Sequence, residues 1–164
     1  MSKAQKIIIL ILAAALVAVS IAAGVVLGRE PETVAGEFTA PEFDPTAVAG
    51  EPVVPQELGW CELPLREGLT ASVCGVLTAE QGRVAVWLYN HPDSDCWLKL
   101  RLLDSRGNIL GETGLLKPGE HVQYLNLDTV PRKDTAVVLK LMAYRPETYY
   151  SGGSAGLETT LMVP

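Results

Sequence analysis

The hydrophobic pattern divides the chain into one uninterrupted apolar run near its start and a series of alternating segments beyond Trp60. The run extends from Ile7 to Gly28, and Ser20 is its only polar side chain. Its 22 residues at about 1.5 Å rise per residue make a helix of roughly 33 Å, which matches the roughly 30 Å hydrocarbon core of a bilayer. The pattern therefore predicts a transmembrane helix over residues 7–28.

A cleaved signal peptide is the alternative interpretation of the same run. Lys3 and Lys6 would form its charged start, and residues 20–22 would be its cleavage site. A secretory apolar core normally spans about 7–15 residues, whereas this run continues through Leu27. The length favours a membrane anchor.

Charges on the two sides of the run predict its orientation. Lys3 and Lys6 precede it without an acidic residue, whereas Arg29, Glu30 and Glu32 follow it. The positive-inside rule then places residues 1–6 in the cytoplasm as a short tail. We expect a single-pass protein of the cell membrane whose C-terminal domain is extracytoplasmic.

Residues 29–59 have the composition of a linker. They contain one arginine, seven acidic residues and five closely spaced prolines. Proline fixes φ, keeps the preceding residue extended and removes a hydrogen-bond donor, and the like charges repel one another. We predict an extended, semi-rigid spacer between the membrane and a domain over residues 60–164.

Alternation of apolar and polar residues with period two predicts strands in that domain. Val84, Val86 and Leu88 alternate with Arg83, Ala85, Trp87 and Tyr89, and the same pattern recurs over residues 96–103. Further strands are predicted over residues 69–77, 109–113, 121–127, 135–144 and 157–163. Turn-forming residues separate these segments, among them the SGGSAG stretch at residues 151–156. The pattern indicates an all-β fold, an antiparallel β-sandwich of immunoglobulin-like size with about seven strands.

A resemblance supports this plan. The stretch LYNHPDSDCWLKLRLLDSRGNILGETGLLKPGEHVQYLNL over residues 88–127, a strand ending in Tyr144 and the final LETTLMV are similar to a group of uncharacterised single-pass, membrane-anchored small β-sandwich proteins of clostridial-type Gram-positive bacteria. Those proteins share an N-terminal anchor, an acidic Pro-rich linker and a small sandwich with an Asn-Pro-rich loop ending in Cys. The resemblance implies placement in the bacterial cell envelope and supplies no catalytic residues.

Charge excludes one class of partner. The chain has a formal net charge of −6, and residues 60–164 contain ten basic and twelve acidic side chains. The basic patch that nucleic-acid binding requires is absent from the sequence.

The predicted extracytoplasmic part contains three cysteines, Cys61, Cys74 and Cys96. Disulfides persist in oxidising compartments, and an odd number leaves one thiol unpaired. We favour a Cys61–Cys74 disulfide, which would close a loop of about 13 residues and stabilise the domain by roughly 3 kcal/mol. The alternative, three separate buried thiols acting as small apolar side chains, stays open.

Motifs for metal binding and catalysis are missing. Asn90, Asp93 and Asp95 stand in one loop, but the glycine and glutamate of an EF-hand are not there. His91 and His121 lack the spacing of a zinc motif, and no serine lies in a G-x-S-x-G sequence. We predict no metal, no cofactor and no enzymatic activity.

A surface patch is the remaining candidate site. If residues 83–89 and 96–103 pair as a hairpin, Tyr89 lies opposite Trp97 and Trp87 lies opposite Lys99 on the outward face. Such a patch suits stacking on a sugar or anchoring a protein, because Trp and Tyr combine a large apolar area with a polar tip. The alternative is that the linker or a neighbouring loop covers these rings.

We therefore expect a membrane-tethered, non-catalytic module for interaction or assembly at the cell envelope, with a protein or glycan partner at the cell surface. The alternative is a carbohydrate- or ligand-binding ectodomain that uses the aromatic patch. Both interpretations require the C-terminal domain outside the cytoplasm.

Protease added to intact cells or spheroplasts should digest the C-terminal domain, because the predicted orientation exposes it. Immunoblotting with an antibody against the C-terminus measures this loss. Complete protection in intact cells, with digestion only after the membrane is broken, would invert the predicted orientation.

Overall fold

Ten strands and no α-helix make up residues 39–164, the part of the chain that the computed structural model describes. The strands are β1 (Val48–Ala49), β2 (Trp60–Arg66), β3 (Leu69–Cys74), β4 (Leu77–Glu80), β5 (Arg83–Asn90), β6 (Trp97–Asp104), β7 (Ile109–Glu112), β8 (Glu120–Asn126), β9 (Thr135–Tyr144) and β10 (Ser151–Met162). A single 3₁₀ turn, Gln56–Leu58, precedes β2. The predicted tail and transmembrane helix lie outside the described residues. Within residues 39–164, no helix is long and apolar enough to cross a bilayer.

The all-β prediction is confirmed, and the sheet is curled. Its strand order is β1-β8-β5-β4-β10-β9-β6-β7, with the β2–β3 hairpin attached to β5 through β3. The first two residues of β4 pair in parallel with the end of β10, and the last two pair antiparallel with the start of β5. The sheet is therefore mixed rather than purely antiparallel. We call β1, β2, β3, β5 and β8 its first half and β6, β7, β9 and β10 its second half; β4 joins the two.

Leucine dominates the interior of the curl. The twelve largest fully buried side chains are all leucines: Leu69, Leu77, Leu88, Leu98, Leu100, Leu102, Leu115, Leu116, Leu125, Leu139, Leu141 and Leu161. The inward faces predicted for β5, β6 and β9 are confirmed, because their alternate apolar residues all belong to one core cluster. Each such leucine contributes about 1.5–3 kcal/mol by leaving water.

β7, at one end of the strand order, approaches the final residues of β8, which is second from the other end. The backbone amide of Asp128 donates to the carbonyl of Leu110, at 2.8 Å between N and O. Gly111 lies so close to the end of β8 that an added Cβ would overlap the carbonyl oxygen of Asn126. Glycine is the residue that permits this backbone approach.

The predicted hairpin between residues 83–89 and 96–103 is wrong. β5 pairs with β8 on one side and with β3 and β4 on the other, whereas β6 pairs with β9 and β7. The connecting loop crosses from one half of the sheet to the other. The buried side-chain amide of Asn90 supports this crossing, because its Nδ2 donates to the carbonyls of Cys96 (2.9 Å) and Leu116 (3.1 Å).

The predicted spacer differs from the structure over residues 40–59, which belong to the compact unit of residues 40–164. Phe43 pairs in parallel with Leu115, and β1 pairs with β8. Pro45 lies between these two contacts, and the other prolines of this part lie before or after them, at a margin of the sheet where a missing donor is tolerated. This part of the Pro-rich segment is therefore an edge strip of the domain.

Two strand boundaries also differ from the prediction. The segment predicted as one strand over residues 69–77 is divided between β3 and β4, with Gly75 between them. The SGGSAG stretch was predicted as a turn but forms the first half of β10, with a bulge near Gly152. An added Cβ at Gly152 would overlap Sγ of Cys96, and one at Gly153 would lie 2.9 Å from the carbonyl oxygen of Leu65. These glycines serve close packing rather than a loop.

Gly111→Ala should destabilise the domain by about 1–3 kcal/mol, because the new methyl group has no room beside Asn126. Gly156→Ala is the matched control, since its Cβ would meet only Cγ1 of Val138 at 3.6 Å. Thermal and urea unfolding measure both variants. Equal stability of the two would remove the steric role of Gly111.

Candidate functional site

The four residues of the predicted patch do not form one surface. Trp87 and Tyr89 lie on the outer face of the first half of the sheet, and Trp97 and Lys99 lie on the outer face of the second half. The patch depended on pairing between β5 and β6, which the structure lacks. It is therefore replaced by two separate clusters.

The two residues of the second half are covered or neutralised. The Trp97 ring lies between Phe43, at 4.9 Å between ring centroids, and Tyr149, at 5.4 Å, both in edge-on contact. Lys99 is only 7% exposed, and its Nζ lies 2.6 Å from Oε1 of Glu112. The alternative given above, in which the linker and a neighbouring loop cover the ring, therefore applies to Trp97.

The residues of the first half belong to a larger aromatic surface, which we call the ring face. It consists of Trp60, Trp87, Tyr89, His91 and His121, and all but Tyr89 are partly exposed. Trp60 and Tyr89 have ring centroids 6.4 Å apart, and Tyr89 and His91 have centroids 4.8 Å apart. Rings from three strands and one loop thus form a continuous strip.

Trp87 is held in an uncommon backbone conformation. Its φ is +44°, in the left-handed region that favours glycine, and it lies in the bulge that interrupts the pairing of β5 with β8. Its carbonyl oxygen accepts a hydrogen bond from Nε1 of Trp60 at 3.0 Å. A bulky residue in this region costs roughly 1–3 kcal/mol, and such strain clusters at functional positions.

His121 stacks on Trp87. Their ring centroids are 6.2 Å apart and their planes differ by 22°. Nδ1 of His121 lies 2.7 Å from the carbonyl oxygen of Gly50, so Nδ1 carries the proton that is donated. In the neutral ring, Nε2 is then the acceptor that the ring presents.

Tyr89 and Ser72 lie opposite each other on this outer face, and both are buried. Tyr89 is 4% exposed and Ser72 is 1% exposed. Burial raises the pKa of Tyr89, and the charges of Glu51 and Asp93 raise it further. The hydroxyl of Ser72 lies 2.9 Å from Nε2 of His91. This contact links β3 to the loop that follows β5.

A small cavity of about 170 Å³ adjoins the ring face and is lined by Thr78, Glu80, Arg83, Ala85 and Tyr124, together with Leu58 and Val76. The guanidinium of Arg83 lies 4.0 Å from the centroid of the Tyr124 ring, which is a cation–π contact. Pockets that enclose small ligands are usually about 300–1,000 Å³. This cavity is therefore smaller than the pockets that usually enclose a small molecule.

The structure does not assemble the oxygen ligands of the 90–95 loop. The Asn90 amide is used by backbone carbonyls, and Oδ1 of Asp95 is 2.5 Å from Nη2 of Arg66. Hydrogen bonding by Cys96 and then the charge of Arg66 lower the pKa of Asp95. Among residues 39–164, no three His, Cys, Asp or Glu side chains are arranged to hold a metal ion.

The three cysteines are free thiols. Strand register places Cys61 opposite Val73 and Cys74 opposite Trp60, so the two thiols point to opposite faces of the β2–β3 pair. Burial raises the pKa of Cys74 to about 12 and also raises the pKa of Cys96. The favoured Cys61–Cys74 disulfide is thus not formed in the structure.

Trp60, His91 and His121 were not among the sequence candidates. His121 has the outward parity of its strand, because Val122 points into the core. That parity was the available signal. No sequence signal indicated the bulge at Trp87, because the alternation over residues 83–89 is regular.

Searches against protein-family models, curated proteins and solved structures found no match to this chain.

Cys61 should react first with iodoacetamide in the native protein, because it is partly exposed whereas Cys74 and Cys96 are buried with raised pKa. Mass spectrometry after timed labelling measures the order, and unfolding should make all three thiols reactive. A native species with only one alkylatable cysteine would instead establish a disulfide.

Proposed function

We propose that this chain is a membrane-tethered, non-catalytic module whose extracytoplasmic domain contacts a protein partner at the cell envelope through the ring face. The observation that carries the proposal is the partly exposed Trp87–His121 stack, in which Trp87 is held at a positive φ within its strand. Aromatic side chains fixed in this way provide contact area at little cost in entropy.

The membrane assignment is supported by the apolar run of Ile7 to Gly28 and the charges beside it. The non-catalytic assignment is supported by the burial of Ser72 and by the ordinary structural partners of Asp95. We further propose that the two halves of the curled sheet are the layers of a β-sandwich, since a single leucine core lies inside the curl.

Carbohydrate is the second candidate ligand. The Trp87–His121 stack offers a flat ring surface, and the adjoining cavity presents the polar groups of Thr78, Glu80 and Arg83. Sugar recognition combines these two elements, an apolar ring face and hydrogen-bonding groups at its edge. Resemblance to envelope proteins is consistent with either ligand.

Trp87→Asn tests the ring face, because Asn removes the ring and tolerates a left-handed φ. Trp97→Ala is the matched control, a tryptophan removed from the other half of the sheet. In the full-length chain carrying a photo-crosslinker at the exposed position 62, opposite Ser72 and outside the ring face, we expect Trp87→Asn to reduce partner crosslinking by roughly 30-fold, which corresponds to about 2 kcal/mol for an aromatic hot spot. The Trp97 variant should retain it.

Retention of the full-length chain on purified wall polysaccharide, measured in detergent, distinguishes glycan from protein. Loss of polysaccharide retention in Trp87→Asn alone would favour the carbohydrate alternative. Equal crosslinking by Trp87→Asn and the native chain, with matched melting temperatures, would contradict the proposed use of the ring face.

A further inference from the structure

Two cations face each other on the outer surface of the second half. Arg101 of β6 lies directly opposite Lys140 of β9, and Lys140 lies directly opposite Gly156 of β10. Like charges in directly opposed positions destabilise a sheet. This arrangement therefore has a cost in stability that the fold itself does not explain.

The neighbouring ion pairs show which charge Arg101 and Lys140 lack between them. Glu112 of β7 bridges two cations, since its Oε1 lies 2.6 Å from Nζ of Lys99 and its Oε2 lies 2.7 Å from Nε of Arg101. Burial alone would raise the pKa of Glu112, but the hydrogen bonds from both cations lower it overall. Lys99, Glu112 and Arg101 thus alternate in charge along the surface.

The alternation of positive and negative side chains ends at Lys140. Within residues 39–164, Lys140 forms no ion pair, and the position opposite it on β10 is Gly156, which has no side chain. Both Lys140 and Gly156 are exposed. Glu112 therefore balances Lys99 and Arg101, whereas Glu158, two residues from Gly156 on the same face, forms no ion pair with Lys140. The position directly opposite Lys140 is open.

We propose that this cationic row, formed by Arg101 and Lys140 beside the Lys99–Glu112 ion pair, binds an acidic peptide segment of a partner protein. A Glu or Asp of that segment would bridge Arg101 and Lys140 as Glu112 bridges Lys99 and Arg101. The Nη groups of Arg101 make no hydrogen bond within the described chain, so its fork keeps donors for a second carboxylate. Recognition of acidic motifs by arginine-centred clusters is a common mode of peptide binding.

The row lies on the half of the sheet that does not carry the ring face, so this inference is independent of the proposed function. The chain as a whole is acidic, with a net charge of −6. Residues 60–164 are nearly neutral, with ten basic and twelve acidic side chains, so the row is a local excess of positive charge on this domain. Binding should therefore weaken as salt screens the row.

Gly156→Glu supplies the missing carboxylate within the chain and is the sharpest test. We expect it to raise the melting temperature above that of Gly156→Gln by about 1–4 °C, since it creates an opposite-charge pair across strands. It should also abolish binding of a fluorescent oligoglutamate peptide to the full-length chain, measured by anisotropy at low salt. Gly156→Gln has the same shape without the charge and should keep binding.

Lys140→Gln should weaken oligoglutamate binding roughly fivefold without lowering the melting temperature, because it removes a repulsion. Lys133→Gln removes the same charge from the loop before β9 and should leave binding unchanged. Trp87→Asn should also bind normally, which separates this test from that of the ring face. Equal affinity in Lys140→Gln and the native chain, or Lys140-dependent binding of polyphosphate but not of oligoglutamate, would overturn the proposal.

Discussion

The fold depends on β4, a strand of four residues that hydrogen-bonds to two different neighbours. Its first two residues continue the edge of β10, and its last two continue the edge of β5. A flat sheet would leave one face of every strand in water. Because β4 changes partners along its length, the sheet curls and the leucines of both halves meet in one core, where Leu77 and Leu161 are fully buried at the joint.

Curling also decides which side chains can share a surface. The loop after β5 crosses from the first half to the second, so residues only ten apart, such as Trp87 and Trp97, belong to opposite outer faces. One face gathers the aromatic rings, and the other gathers the alternating charges around Glu112. Each surface draws on strands that are distant in sequence, since Trp60, Trp87 and His121 come from β2, β5 and β8. The two faces are thus separate surfaces on one common core.

Period-two alternation was sufficient to predict the strands that have one buried face and one exposed face. The core positions Val84, Leu100 and Leu139 could be predicted because each lies between residues of the other parity. The start of β10 could not, since its glycines and serines have no hydrophobic pattern and are selected by close backbone packing. The pairing of the strands could not be predicted from the sequence. A short loop normally joins two strands of a hairpin, and only the hydrogen bonds of the Asn90 amide to backbone carbonyls indicate that the loop after β5 crosses to the other half. For the candidate site, Trp87 and Tyr89 were found, but their neighbours depend on that pairing.

The edge strip of residues 40–59 has a further consequence for solubility. β1 occupies the outer margin of β8, and Phe43 occupies the margin beside Leu115. Exposed margins of this kind recruit strands from other molecules and seed aggregates, and short strands interrupted by proline are a natural means of blocking them. The segment that leads towards the apolar run thus also protects the sheet, and a fragment trimmed to start at Trp60 would leave the margin of β8 open to self-association.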